Sequence, residues 1–128
     1  MKIEHVALWT RDLERMRAFY VQYFGAVASE RYQSRTHAFA SYFLTFPDGG
    51  ARMELMEKPG LAESSGADVA TGYAHLAISV GDEARVRELT ERLRIAGVRV
   101  AGEPRRTGDG YFESVVLDPE GNRIEITV

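Results

Sequence analysis

EHVAL at residues 4–8 and AHLAI at residues 74–78 decide how this chain is read. Each places a histidine second in a short apolar run, 70 residues apart. Working outward, EHVALWTRDLERMRAFYVQYFGAVAS aligns with AHLAISVGDEARVRELTERLRIAGVRVA, matching His5 to His75 and Asp12 to Asp82. Gly25 then matches Gly97 at an offset of 72, which predicts a second helix two residues longer than the first. Further on, PDGGARMEL from Pro47 matches PEGNRIEI from Pro119, and one extra residue in the first turn brings Glu54 onto Glu125 at an offset of 71. A fixed internal period of this kind is the mark of a duplicated unit. The chain reads as one domain, 1–128, of two modules, about 1–57 and 73–128, joined by a Gly-, Ala-, Ser- and Pro-rich linker over 58–72.

Each copy reads as strand, helix, then strands. Residues 3–9 alternate, with Ile3, His5, Ala7 and Trp9 on one face and Val6 and Leu8 on the other. Residues 12–24 carry Leu13, Met16, Tyr20, Tyr23 and Phe24 at helical spacing, with Thr10 or Asp12 as cap and Gly25 as stop. In the second copy Val86, Leu89, Leu93 and Ala96 form the matching stripe, Asp82 is the cap and Gly97 the stop. Strand-like runs follow at 26–32 and 38–46, and at 98–101 and 111–117. Each copy closes with a Pro-acid-Gly turn and a last strand, 51–57 or 123–128. The predicted fold is α+β, built from two βαβββ modules.

Composition narrows the function. Hydrophobic residues are 45% and charged residues 27%, ordinary globular usage that argues against disorder. Net charge is −3, with no basic cluster beyond Arg105-Arg106, so no nucleic-acid partner is expected. The absence of cysteine excludes disulfides, zinc–thiolate sites and thiol nucleophiles. The apolar runs are too short to cross a bilayer, and MKIEHVALW lacks the apolar segment of a signal peptide. A cytoplasmic protein without membrane partners is expected.

The duplicated positions carry the chemistry. His5 and His75 sit on the first strands of the modules, Glu54 and Glu125 on the last. Met53 and Leu55, like Ile124 and Ile126, flank each glutamate, so alternation turns the apolar pairs toward the helix and the glutamates the opposite way. All four polar side chains are expected on the concave faces, lining one cleft. Two imidazoles and two carboxylates make an N2O2 donor set, suited to zinc, nickel, cobalt, manganese or iron(II).

On the residues EHVAL…DLERMRAFYVQYFG, RMELM, GYAHLAISV and LDPEGNRIEI, the chain resembles the vicinal oxygen chelate superfamily, most of all its glyoxalase I branch. The resemblance implies two βαβββ modules paired as an open cup around one divalent metal. It carries the metal ligands onto His5, Glu54, His75 and Glu125. It implies a small-molecule substrate with two neighbouring oxygens, with the metal as Lewis acid for an enediolate. A glutamate, Glu125 or Glu54, would move a proton between adjacent carbons. A homodimer is implied as well, since in short relatives the cup often forms across a dimer interface.

The chain departs from the glutathione-using pattern. An arginine four residues after the first histidine and an asparagine four residues after the first glutamate hold glutathione there; here the places are Trp9 and Lys58. A basic residue before the late glycine loop survives as Arg105 or Arg106, with Arg106 the candidate substrate contact, and Tyr111 or Glu113 is a candidate cup-lining residue. Trp9 suits an apolar or aromatic substrate better than a tripeptide carboxylate. His37, without a counterpart in the second copy, is expected exposed or cleft-lining rather than a ligand. Two other functions share this outline: an iron(II) ring-cleaving dioxygenase using His5, His75 and Glu125, and a non-catalytic protein that binds small molecules or antibiotics.

Overall fold

The computed structural model describes residues 1–63 and 72–128. Most of the linker expected at 58–72 thus lies outside the described residues. The chain forms two compact units, Met1–Glu63 and Ser64–Val128. The first runs β1 (His5–Trp9), α1 (Leu13–Phe24), β2 (Val27–Ala28), β3 (Tyr32–Gln33), β4 (Ala40–Thr45) and β5 (Arg52–Glu57). Its sheet has the order β1-β5-β4-β2, with β3 paired to β4. The second runs β6 (Leu76–Ser79), α2 (Glu83–Ile95), β7 (Val100–Arg106), β8 (Phe112–Leu117) and β9 (Arg123–Thr127), in the order β6-β9-β8-β7. In both, the first strand lies parallel to the last and the other pairings are antiparallel, so each sheet is mixed and the fold is α+β.

The helices begin and end as their sequences demand. Asp12 accepts a hydrogen bond from the Arg15 amide at 2.9 Å, and Asp82 accepts from the Arg85 amide at 2.8 Å. Gly25 ends α1 with φ +65°, a left-handed value that is unfavourable for side chains with a Cβ. α2 is longer by one residue rather than two; the second extra residue is Ala96, which forms the cap before Gly97 at φ +82°. Ala96 is exposed as a result and leaves the buried stripe, where Thr90 stands with Val86 and Leu93. In α1 the stripe gains Phe19, while Tyr23 and Phe24 are only partly covered.

Alternation in the last strands sets the core. Met53 and Leu55 of β5, and Ile124 and Ile126 of β9, are buried with the helix stripes of their own units. Leu55→Ala is expected to lower stability by about 2–5 kcal/mol, measurable as a shift of the urea midpoint. The expected strand at 26–32 is split into β2 and β3, and the expected 98–101 strand extends to Arg106. Among the described residues, no helix is long and apolar enough to cross a membrane.

One polar tie joins α1 to β4. The buried Tyr42 hydroxyl donates to Glu14 Oε1 at 2.7 Å. This bond, aided by Arg17, holds the Glu14 carboxyl below the usual carboxylate range, and the same bond with burial raises the Tyr42 phenol above its ordinary value. The depressed glutamate contributes stability above about pH 4.5 that is lost as pH falls through its folded value. The raised tyrosine contributes below about pH 10, and that contribution is lost as pH rises through its folded value. Tyr42→Phe is therefore expected to cost about 1 kcal/mol at pH 7, and less at pH 3. Urea titrations of both proteins at the two pH values check this; an equal cost at both would remove the ion from the account.

Candidate metal centre

Parallel pairing of first and last strands brings each histidine beside its own module's glutamate. In the first unit His5 is in register with Arg52 and Ala7 with Glu54, so His5 and Glu54 are diagonal neighbours on one face. His5 Nε2 lies 3.8 Å from Glu54 Oε2. In the second unit Ala77 is in register with Glu125, and His75 stands one residue before β6 rather than inside it. There His75 Nε2 lies 3.1 Å from Glu125 Oε2. Both imidazoles are 40% exposed, and the carboxylates are more covered, at 16% and 22%.

These spacings fit two donors on one ion. With metal–ligand bonds of about 2.1 Å, neighbouring ligands stand roughly 3.0–3.4 Å apart. The second pair is already at that distance, and the first needs a few tenths of an ångström of side-chain adjustment. Within the described residues, no three acidic or histidine side chains gather into a cation site. Each unit holds one His–Glu pair.

The surroundings of the two pairs differ. His5 Nδ1 meets Glu4 Oε2 at 2.5 Å, and Arg52 also donates to the Glu4 carboxylate. The hydrogen bond from His5, then that from Arg52, holds the Glu4 carboxyl below the ordinary range. Phe43 sits edge-on to the His5 ring at 5.5 Å, and the Arg52 guanidinium lies 4.2 Å from the Phe43 ring centre. At the corresponding place before His75 the chain has Ala74.

The other expected site residues divide. Trp9 is 45% exposed on the His5 face of β1. Lys58 Nζ lies 4.5 Å from the Trp9 ring centre, and Phe39 meets that ring edge-on at 6.2 Å. Phe39 and Lys58 line an open cavity of about 420 Å³ together with Arg11, Arg31, Gln33 and Glu57. Sequence reading missed Phe39 and this cavity, because Phe39 meets Trp9 and Tyr32 only once the strands are paired. His37 is exposed in a turn, bonded to Thr36 Oγ1 at 2.8 Å.

Arg106 is not on the glutamate face. It pairs in register with Phe112, lies over that buried ring and forms an ion pair with Glu83 of α2. Arg105 instead pairs in register with Glu113, on the face of Glu125, and its guanidinium lies 3.4 Å from Glu113 Oε1. Register shifts on both sides of Gly102 cancel, so Arg105 and Arg106 keep the faces that alternation from Val100 gives. A Cβ at Gly102 would meet Val115 Cγ2 at 3.2 Å and Arg105 Nη1 at 3.4 Å, so glycine lets the Arg105 side chain lie back along the strand. Glu113 is buried, and Tyr111, two residues earlier, is exposed.

Two units of like order, each with a histidine at the start of its first strand and a glutamate on its last, define a duplicated α+β architecture. Residues 2–126 match the family model of the Glyoxalase/Bleomycin resistance protein/Dioxygenase superfamily, and the chain belongs to that superfamily. It is 31% identical over 125 residues to a lactoylglutathione lyase of Arabidopsis thaliana and 30% identical to a protein of Brassica oleracea var. gemmifera named putative lactoylglutathione lyase. The aligned part is 95% of this chain but 42% of each of those relatives, so the chain spans under half of their length. Its fold is similar to glyoxalase I from Zea mays, with a TM-score of 0.80 at 24% identity over 98% of this chain and 44% of that one. A glyoxalase/bleomycin resistance protein/dioxygenase domain from Frankia sp. EAN1pec matches with a TM-score of 0.83 at 20% identity, over 100% of this chain and 97% of that one.

Proposed function

We propose that the protein is a divalent-metal-dependent lyase or isomerase of the glyoxalase I type, with His5, Glu54, His75 and Glu125 as the ligands of one ion. The observation that carries this reading is the repeated pair. The same two residue types recur at the start of the first strand and on the last strand of both modules, His5 in β1 and His75 just before β6, with Nε2 of each histidine near a carboxylate. Two ligands are too few for a stable zinc-type site, which takes three or four. Each pair then needs a second one, from the other module of the same chain or from a second copy in a homodimer. Light scattering at micromolar concentration tests the dimer; a fully active monomer would rule out a site shared between chains.

The bound ion supplies a Lewis acid for a small substrate with two adjacent oxygens. The chain's own residues do the rest. His5 and His75 anchor, while Glu125 or Glu54 accepts a proton from one carbon and returns it to the next. Trp9 and Phe39 offer an aromatic wall beside Lys58, which suits an apolar or aromatic substrate, and Trp9 stands where the glutathione-using pattern has an arginine. The presence of Glu54 beside His5 favours the four-ligand reading over a ring-cleaving dioxygenase, whose iron(II) triad would leave this glutamate spare.

Metal analysis of protein purified without chelators tests the reading, run with a 2-oxoaldehyde and thiol assay beside a catechol assay. One zinc-, nickel-, cobalt- or manganese-class ion per two His–Glu pairs, with turnover that chelation abolishes, is expected. Iron(II) with oxygen uptake on a catechol would replace the lyase by a dioxygenase. Metal-free protein that binds small molecules without turnover would replace it by a binding protein.

A further inference from the structure

We infer that Glu4 is the positioning residue of the first half-site, setting the tautomer of His5 so that Nε2 is the donor aimed at Glu54. This rests on the metal reading above for its consequence, although the geometry stands without it. An ionised carboxylate only accepts hydrogen bonds. The atom of His5 that meets Glu4 is Nδ1, so the ring proton resides there and the Nε2 lone pair is left free. Nε2 is the atom 3.8 Å from Glu54.

The support is itself supported. Glu4 is held by Arg52, whose backbone amide also donates to the Glu4 carbonyl at 3.0 Å. Arg52 lies over Phe43, and Phe43 sits against the His5 ring. Glu4, Arg52 and Phe43 thus constrain the imidazole at Nδ1 and along one flank. A carboxylate behind a ligating histidine fixes the ring and raises its basicity. In the second module Ala74 precedes His75, so a carboxylate at this place is peculiar to the first. The duplicated pairs are inequivalent: one histidine is pre-set by its own strand, and the other is not set in that way.

The test reads the tautomer directly in metal-free protein. Imidazole ¹⁵N shifts, followed across a pH series to the neutral ring, are expected to show His5 with its proton on Nδ1. In Glu4→Ala that proton is expected to move to Nε2, the position a free neutral imidazole favours. Glu4→Gln keeps a carbonyl acceptor and is expected to keep the Nδ1–H form. His75 should be unchanged in all three, which separates positioning from a loss of fold. Zinc affinity by competition with a chelating dye is expected to fall about 10- to 100-fold in Glu4→Ala and to stay near wild type in Glu4→Gln. An Nε2–H wild-type His5, a tautomer untouched in Glu4→Ala, or equal zinc affinity in the two proteins would overturn the inference. Wild-type protein that binds neither zinc nor nickel would overturn the metal reading instead, and the ¹⁵N shifts would still decide what Glu4 does.

Discussion

His75→Ala is expected to reduce divalent-metal affinity by at least about 100-fold and to remove metal-dependent turnover. The magnitude follows from ligand number. If one ion takes two imidazoles and two carboxylates, deleting an imidazole leaves three donors and an opening for water. Even removing a partner behind a ligand costs about 10- to 100-fold in affinity, and losing the ligand itself costs more. His75 is half-exposed and outside the buried stripes, so the variant should keep its thermal midpoint within about 2 °C, as exposed substitutions alter stability by under about 0.5 kcal/mol. His5→Ala, Glu54→Ala and Glu125→Ala are expected to follow it in affinity. The glutamates separate in kinetics, because the one that carries the proton should lose kcat even when excess metal refills the site. Calorimetric titration with zinc and nickel measures the affinity. Stoichiometric binding retained in both His5→Ala and His75→Ala would place the ion elsewhere.

Trp9→Arg is expected to raise kcat/KM for the methylglyoxal–glutathione hemithioacetal by about 10- to 100-fold. The wild-type value should be well below about 10⁶ M⁻¹s⁻¹, inside the efficient enzyme range. A hydrogen bond from arginine to a carboxylate contributes about 1.5–3 kcal/mol, and each 1.4 kcal/mol is about tenfold. Trp9 offers an exposed ring face with no carboxylate-binding donor beyond its indole N–H. Lys58 lies beside it, and an ammonium is a point charge without the planar fork of a guanidinium. The same substitution should weaken an aromatic substrate, because the wall formed with Phe39 loses its ring. A wild-type kcat/KM already near about 10⁶ M⁻¹s⁻¹ would mean that glutathione is held by other contacts, and the substrate reading would fall.

Much of the architecture was legible in the chain because it depends on local chemistry. Period-two alternation around Glu54 and Glu125 put Met53, Leu55, Ile124 and Ile126 in the core, and burial follows that pattern. Asp12, Asp82 and Gly25 act as caps because orphan amides and a left-handed turn call for those residue types wherever a helix starts or stops. The duplication made every one of these readings twice over. The family followed from the same residues, since a strand–helix–strand repeat with matched histidines and glutamates carries a pattern that composition alone does not.

What the tertiary structure decided is everything that depends on register between distant strands. Only the parallel pairing of β1 with β5, and of β6 with β9, sets His5 diagonal to Glu54 and His75 within 3.1 Å of Glu125. The partners of Arg105 and Arg106 could not be read from alternation, because the two register shifts around Gly102 cancel in face but set Arg105 opposite Glu113 and Arg106 opposite Phe112, and shifts of that kind leave no periodic trace. The Glu4–Arg52 tie spans two strands whose residues are 48 apart in sequence, and the Tyr42–Glu14 bond spans 28. Local propensity knows nothing of such partners. They are brought together when burial of the two faces fixes which residue lies opposite which, and at that point the chemistry of the half-sites is set.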